Sequence, residues 1–167
     1  AMKIGIHQHV FTKKLNRQNL DLLNVIRDYG FDAMDVNVRA LDIPTARLIG
    51  KRARELDLQL IGGGSLPPDK KLLSKDKPKR REAIEYMKDL VRKVHELGST
   101  FYGGIIYAPF SVLTGRAPNE DERNYAAEGL KEVCAFAREY GIDVGLEPAN
   151  RYETYMINTI GDVLKLI

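Results

Sequence analysis

The chain has 167 residues, of which 44% are hydrophobic and 29% are charged, and its formal net charge is +3 at pH 7. This size and apolar content predict one domain with a real core, and the mixed charges exclude a disordered acidic or basic tail. No apolar run approaches the roughly 20 residues that span a bilayer, and a net charge of +3 is too small to indicate nucleic acid binding.

Cys134 is the only cysteine in the sequence, which excludes an internal disulfide and a cysteine-based zinc site. The chain does not begin with the cationic and then apolar pattern of an export signal. We therefore expect a reducing, cytoplasmic compartment and no association with a membrane.

Short apolar runs alternate along the chain with segments of helical periodicity. Five runs that are too short for helices and rich in β-forming residues or glycine predict strands at Ile4–Ile6, Ala33–Val38, Leu58–Ile61, Phe101–Tyr107 and Val144–Leu146. One-sided apolar spacing between them predicts helices that include Leu22–Tyr29, Ala46–Leu56, Ala83–Leu97, Ala126–Tyr140 and Ile160–Ile167.

Capping residues agree with these helices. Asp42 precedes the second helix and Pro44 lies in its first turn, while Asn119 or Asp121 starts the fourth. Glycines that suit a left-handed conformation follow three of the helices, at Gly30, Gly98 and Gly141. The chain therefore reads as five consecutive βα units.

Five βα units require parallel strands joined by right-handed crossovers, which fits an open doubly wound sheet or a (βα)8 barrel. The first βα loop lacks the GxGxxG fingerprint of dinucleotide-binding sheets. Polar residues follow several strands instead, as at the ends of barrel strands in enzymes: His7, Gln8, His9, Asp35, Asn37, Ser65, Tyr107, Glu147 and Asn150. We predict an α/β fold, with residues 1–167 forming about the first five units of a single TIM barrel domain.

The segment Gly145–Thr154 is the strongest candidate for a functional site. Glu147 directly follows an apolar pair that we expect to be buried, so its carboxylate needs a cation or a hydrogen-bond network. Asn150, Arg151 and Glu153 crowd the same loop. The alternative is a structural ion pair of Arg151 with either glutamate, but dense polar loops at this end of a strand are more often sites.

His7 and His9 lie two residues apart on a segment that we expect to be extended, so their rings face the same side. A shared metal is one interpretation, but we favour histidines that line a pocket and hydrogen-bond to a substrate. Tyr107 opens a long loop and is expected to form a pocket wall, with plain packing under the loop as the alternative.

Two further segments have simpler interpretations. Gly62–Gly64 could cradle a phosphate, but no helix starts directly after it, so a close approach of backbone is the simpler explanation. Lys70–Arg81 is strongly basic, yet it lacks interleaved aromatic residues and contains an aspartate, so we expect a solvated loop and helix start.

The segment Leu146–Thr154, followed by Ile157–Thr159, resembles the D-tagatose 3-epimerase family, to which D-psicose (D-allulose) 3-epimerases belong. Other segments that resemble this family or its xylose-isomerase-like superfamily are Met2–Ile6, Ile84–Lys88 and Gly103–Pro109. The resemblance covers essentially the whole chain. It implies a metal-dependent enzyme that epimerises ketoses at C3 through a cis-enediolate.

The resemblance also implies functions for individual residues. Glu147 matches a glutamate that binds the metal, Mn²⁺ or Co²⁺ with Mg²⁺ as an alternative, and that acts as one acid/base. Glu153 matches a glutamate that hydrogen-bonds to the substrate. His7 and His9 stand where relatives carry pocket aromatics, and Tyr107 falls near the pocket wall.

This chain departs from the family in one important respect. Relatives supply an aspartate, a histidine, a second glutamate and a substrate-binding arginine from strands six to eight, and none of these residues is present here. We therefore expect this chain alone to be inactive, and we expect a small ketose as substrate, no nucleic acid or membrane partner, and self-association into a homo-oligomer.

Three other functions stay open on the sequence. An aldose–ketose isomerase, such as a hydroxypyruvate-isomerase-like enzyme, would use the same enediolate chemistry between C1 and C2. An apurinic endonuclease shares the superfamily fold, although enzymes of that kind use many histidines and this chain has three. A non-catalytic barrel fragment that self-associates through its bare sheet edges is the third.

Overall fold

A computed structural model describes residues 2–167, in which strands and helices alternate along the chain. The strands are β1 (Gly5–His7), β2 (Ala33–Asn37), β3 (Gln59–Gly63), β4 (Phe101–Gly104) and β5 (Asp143–Leu146), and their order in the sheet is their order in the chain. The β1–β2 and β2–β3 pairs are parallel. The predicted βα succession is therefore confirmed.

Five α-helices follow the strands, one after each. They are α1 (Leu22–Asp28), α2 (Ile43–Glu55), α3 (Lys77–Leu97), α4 (Glu120–Glu139) and α5 (Ile160–Leu164). Short 3-10 helices occupy Gln8–Val10, Arg17–Asn19 and Val38–Ala40. No helix of the described chain is both long and apolar enough to cross a membrane.

The fold consists of two compact units. The first contains the described residues up to Gly64 together with Leu90–Tyr102, and the second contains Ser65–Asp89 and Gly103–Ile167. The first unit therefore holds β1, β2 and β3, and the second holds α4, β5 and α5.

The core of the first unit lies around β2. Met34 and Val36 point to one face of β2 and have no exposed surface, and Ala33, which points to the other face, is also buried. Burial on both faces is typical of a parallel strand that is covered on both sides. Helix α2 approaches the end of α3 so closely that a Cβ on Gly50 would collide with the carbonyl of Leu97. Glycine at this position lets the two helix backbones meet.

The second unit packs the first half of α3 against α4. Apolar side chains of both helices are fully buried, among them Ala83, Met87, Ala126 and Val133. A Cβ on Gly129 of α4 would collide with Leu72 and would be in van der Waals contact with Ile84 of α3. Lys70 pairs with Glu82 and Arg81 pairs with Glu132, so acidic neighbours neutralise part of the basic segment.

The predicted caps agree well with the structure. The carboxylate of Asp42 accepts a hydrogen bond from the Thr45 N–H at 2.7 Å, and Asn119 rather than Asp121 caps α4. The three predicted helix-ending glycines have positive φ: Gly30, Gly98 and Gly141.

The predicted fourth strand is too long, because β4 ends at Gly104 rather than at Tyr107. Gly104 has a φ of 133°, and its carbonyl accepts a hydrogen bond from the Ile106 N–H at 3.0 Å. The chain turns there and leaves the sheet, which an apolar run does not reveal in the sequence.

Candidate functional site

The backbone of Glu147 is held firmly at the carboxyl end of β5. Its N–H donates to the carbonyl of Gly104 at 3.2 Å, and its carbonyl accepts from the Tyr107 hydroxyl at 2.9 Å. Pro148 has no N–H, so the strand ladder cannot continue. The position of this residue is thus set by its backbone and leaves its side chain free.

The Glu147 side chain is exposed and makes no hydrogen bond or ion pair with any residue that the structure describes. The ion pair with Arg151, which was the structural alternative, is not formed within residues 2–167. One premise was wrong, however: Val144, Gly145 and Leu146 are only partly buried, so burial does not force this carboxylate to find a partner. A free, solvated carboxylate on a fixed backbone can accept a proton or contribute to a cation site.

Tyr107 lies beneath this loop and has no exposed surface. Its hydroxyl lies 2.9 Å from the Glu147 carbonyl and 3.2 Å from that of Ile157, so it ties the two arms of the loop together. Burial, with a smaller contribution from the charge of Glu147, raises the pKa of this hydroxyl well above its usual value. The hydroxyl therefore stays protonated and works as a donor, whereas contact with a substrate stays a prediction.

Glu153 is half-buried on the same loop. Its Oε2 accepts a hydrogen bond from Asn150 Nδ2 at 2.8 Å, and its carbonyl accepts one from the Ser111 N–H at 2.9 Å. Asn158 donates from its side chain to the carbonyls of Ala149 and Thr154, at 2.8 and 2.9 Å. Hydrogen bonds within the loop after β5, together with the one from Ser111, therefore fix its conformation.

A buried carboxylate that the sequence analysis missed supports this loop from α4. Arg116 contacts both carboxylate oxygens of Glu122, at 2.8 and 2.9 Å, and the Asn119 N–H and the Tyr155 hydroxyl also donate to it. These bonds, that of Arg116 first, lower the pKa of Glu122 to about 2. The only sequence signal was the spacing of Asn119 and Glu122, a capping box.

His7 and His9 belong to the first unit. The segment is not extended as expected, because a 3-10 helix starts at Gln8 directly after β1. The rings nevertheless lie side by side, with centroids 4.6 Å apart, since the His9 N–H turns back to donate to His7 Nδ1 at 3.1 Å. Their function in substrate binding stays a prediction.

Gly62 and Gly63, the last two residues of β3, and Gly64 directly after it are explained by close approach. A Cβ would collide with Val94 at Gly62 and with the carboxylate of Asp35 at Gly63, and it would press on Arg39 at Gly64. This agrees with the simpler interpretation of the segment. Asp35 was noted as a polar strand end but not as a site residue.

The described residues supply only some of the ligands that a divalent metal site needs. Within residues 2–167, no three histidine, cysteine, aspartate or glutamate side chains come together in a group that could hold a metal ion. Glu147 offers one free carboxylate, whereas a catalytic divalent ion usually takes three or more protein ligands. The donors present therefore do not fit a complete metal site.

Comparison with protein families gives one matching model, which is described as a xylose isomerase-like TIM barrel and covers residues 23–167. Among curated relatives, the D-psicose 3-epimerase of Enterocloster bolteae is 29% identical over 173 residues, which cover 100% of this chain and 58% of the relative. The L-ribulose 3-epimerase of Mesorhizobium japonicum is 28% identical and aligns with 99% of this chain and 56% of its own length.

Solved structures agree. A structure of L-ribulose 3-epimerase has a TM-score of 0.89 at 29% identity, over 100% of this chain and 56% of that one. A D-psicose 3-epimerase with D-tagatose from Clostridium cellulolyticum H10 has a TM-score of 0.88, and its 21% identity makes it informative about the fold alone. The chain thus spans little more than half the length of the relatives it matches.

Proposed function

The chain belongs to the xylose isomerase-like TIM barrel family, and from that premise we propose that it is part of a ketose 3-epimerase. The two curated relatives above are named as 3-epimerases of D-psicose and L-ribulose, both ketoses, which supports this substrate class. The observation that carries the proposal is the Glu147 carboxylate, which is unpaired within the described chain while its backbone is fixed at both N–H and carbonyl.

Glu147 is the proposed acid/base. The proton on C3 of a ketose is acidified by the neighbouring C2 carbonyl, and a carboxylate fixed beside it takes that proton as the C–H electron pair moves into the carbonyl. The product is a cis-enediolate. Return of a proton to the opposite face of C3 inverts the configuration and needs a second acid, which lies outside the residues described here.

We also propose Glu147 as one ligand of a divalent ion, Mn²⁺ or Co²⁺. Because the donors of this chain do not fit a complete site, the remaining ligands would have to be supplied from elsewhere, by a longer form of the chain or by another chain. The chain by itself is expected to be inactive.

Three of the other predicted site residues are proposed to contact the sugar directly. Glu153, which Asn150 orients, would accept hydrogen bonds from sugar hydroxyls. His7 and His9 are each proposed as substrate-binding residues of the first unit. Tyr107 would act mainly through the backbone it holds. A cytoplasmic location, a homo-oligomer and the lack of nucleic acid or membrane partners complete the proposal.

The test is turnover of D-fructose and D-tagatose in D₂O by the protein that the full reading frame encodes. A 3-epimerase gives the C3 epimer with deuterium at C3, whereas deuterium at C1 or C2 and an aldose product would identify an aldose–ketose isomerase. Glu147→Gln should lower turnover by about 10²–10⁴-fold, because it removes the base. Glu139→Gln, an exposed change at the end of α4, is the matched control and should leave turnover unchanged.

Two results would contradict the proposal: near-normal turnover by the Glu147→Gln variant, or no reaction with any ketose. The variant should unfold at the same urea concentration as the unmodified protein, because its side chain has no partner among the described residues to lose. A loss of activity therefore cannot be confused with a loss of fold.

A further inference from the structure

Arg151 is a charged side chain that the loop after β5 does not use. It is exposed, and no hydrogen bond or ion pair joins its guanidinium to any residue from 2 to 167. Its neighbours are engaged within the loop, since the Asn150 side chain donates to Glu153 and accepts from the Tyr152 N–H. The N–H donors of the Arg151 side chain are therefore all free for a ligand.

Arg151 lines a cavity of the second unit together with two other arginines. The cavity has a volume of about 640 Å³ and is formed by the β4–α4 loop, the first turn of α4, the loop after β5 and α5. Its polar lining includes Arg116, Arg123, Arg151, Tyr152 and Asp162. This volume is in the range of sites for small-molecule ligands.

The chain holds the other two guanidinium groups in place. Arg116 binds both carboxylate oxygens of Glu122, which takes up its charge, and it also donates to the carbonyl of Ala117 at 2.9 Å. Arg123 donates from Nη1 to the carbonyl of Pro118 at 2.8 Å. That partner is neutral, and Arg123 forms no ion pair within the part of the chain that the structure describes.

The carboxylate that lines the same cavity is engaged in capping α5. Oδ2 of Asp162 accepts hydrogen bonds from the N–H groups of Asn158 and Thr159 and from the Thr159 hydroxyl, at 3.2, 3.0 and 2.9 Å. It therefore neutralises neither Arg123 nor Arg151 by direct contact. Two guanidinium groups without an ion-pair partner line one cavity, which favours an anionic ligand.

We propose that this cavity binds a phosphate monoester, whose phosphate group contacts Arg123 and Arg151. A phosphate monoester carries about −1.5 to −2 charges at pH 7 and has three acceptor oxygens, so it can bind two guanidinium groups at once. The organic part of the ester contacts the apolar and aromatic lining, which includes Leu113, Tyr152 and Met156. The proposal does not rest on the ketose 3-epimerase function, because neither Glu147 nor Glu153 is among the described residues that line the cavity.

Calorimetric titration of the 167-residue chain with D-glucose 6-phosphate tests the proposal. This ester is an aldose phosphate, so its binding does not depend on ketose chemistry, and D-glucose is the matched ligand that lacks only the phosphate. The ester should bind, D-glucose should give no signal at the same concentrations, and the affinity should fall as salt is added, since the proposed contacts are between exposed charges.

Arg151→Gln should raise the dissociation constant of D-glucose 6-phosphate by about 10-fold or more, because it removes charge-assisted hydrogen bonds. The variant should unfold at the same urea concentration as the unmodified chain, since the Arg151 side chain has no partner to lose among residues 2–167. Arg138→Gln, an exposed change at the end of α4 outside the cavity, alters the net charge equally and is the matched control. It should bind the ester as the unmodified chain does.

The proposal is overturned if D-glucose 6-phosphate binds no better than D-glucose, or if Arg138→Gln weakens binding as much as Arg151→Gln, since the chain would then respond to net charge alone. Inorganic phosphate that binds as tightly as the ester would reject the contacts of the organic part. Glu147→Gln should leave ester binding unchanged, and a loss of binding in that variant would move the ester to the candidate active site. Failure of the ketose turnover test changes none of these outcomes, so the two proposals fail separately.

Discussion

At the scale of single residues, one side chain fixes the backbone of the loop after β5 and a different one offers a free carboxylate. Tyr107 is fully buried and places its hydroxyl between two carbonyls, those of Glu147 and Ile157. The Glu147 carboxylate has no partner within the described chain. The backbone of Glu147 is thus fixed by two hydrogen bonds while its carboxylate stays free for the proton transfer that we propose.

Tyr107→Phe tests whether the Tyr107 hydroxyl stabilises the loop after β5. Removal of the hydroxyl leaves the Glu147 carbonyl without this donor, whereas the Ile157 carbonyl keeps the Ala149 N–H at 3.1 Å. The free energy of unfolding should therefore fall by about 1–3 kcal/mol. Urea unfolding of the purified chain measures this. Tyr29→Phe, at a side chain that is 69% exposed, is the control and should change stability by less than about 0.5 kcal/mol. Equal stability of both variants would show that the Tyr107 hydroxyl does not hold the loop.

At the scale of elements, α4 supports the loop through its first turn. Glu122 caps α4 together with Asn119 and at the same time binds Arg116 and Tyr155, so one buried carboxylate joins the β4–α4 loop, the helix and the loop after β5. Because every bond favours the charged form, its pKa is lowered to about 2. Its stabilising effect must therefore depend on pH.

The direction of that dependence follows from linkage. The unfolded carboxyl has the ordinary pKa of 4.5 and the folded one about 2, so the stabilisation is complete above pH 4.5 and is lost as the pH falls toward 2. Glu122→Gln should lower the free energy of unfolding by about 2–3 kcal/mol at pH 7 and flatten its decline between pH 4.5 and 2.

Urea unfolding at pH 7, 4 and 3 measures this effect. Glu128→Gln, an exposed change on the same helix, is the control and should follow the unmodified chain at every pH. A Glu122→Gln variant whose stability declines with acid as steeply as that of the unmodified chain would show that Glu122 is not the linked group.

At the scale of the whole molecule, β1 and β5 are the terminal strands of the sheet, and bare edges invite pairing with another chain. Large apolar side chains are exposed close to β1 in the chain, at Ile4 and Val10, and on α5, at Ile160 and Leu164. The chain also spans little more than half the length of its curated relatives. The residues described here therefore leave apolar surface that a partner could cover.

We expect this chain to self-associate. Light scattering should give a mean mass above the 18.9 kDa of one chain, rising with concentration. Ile4→Lys should weaken self-association and raise the dissociation constant by about 10–100-fold, because it removes an apolar contact of about 1.5–3 kcal/mol. Leu113→Lys, at an exposed loop position, is the control. A stable monomer at all concentrations would contradict the expectation.

Much of the architecture could be predicted because it rests on local patterns. Apolar spacing located all five helices, short apolar runs located all five strands, and Asp42, Asn119 and the helix-ending glycines marked helix boundaries correctly. The position of Glu147 at the end of a strand also followed from local order. These features depend on residues close together in the chain, so periodicity and capping chemistry are sufficient to find them.

Side-chain partnerships depended on tertiary structure. Nothing local indicates that Glu147 stays unpaired while Glu122 takes Arg116 and Tyr155, or that Asp35 fills the space left by Gly63. The sequence by itself determined the order and kind of the elements and the place of a carboxylate at the end of β5. Only the fold decided which polar groups are satisfied and which remain free, because that depends on contacts between residues distant in sequence and on the burial those contacts create.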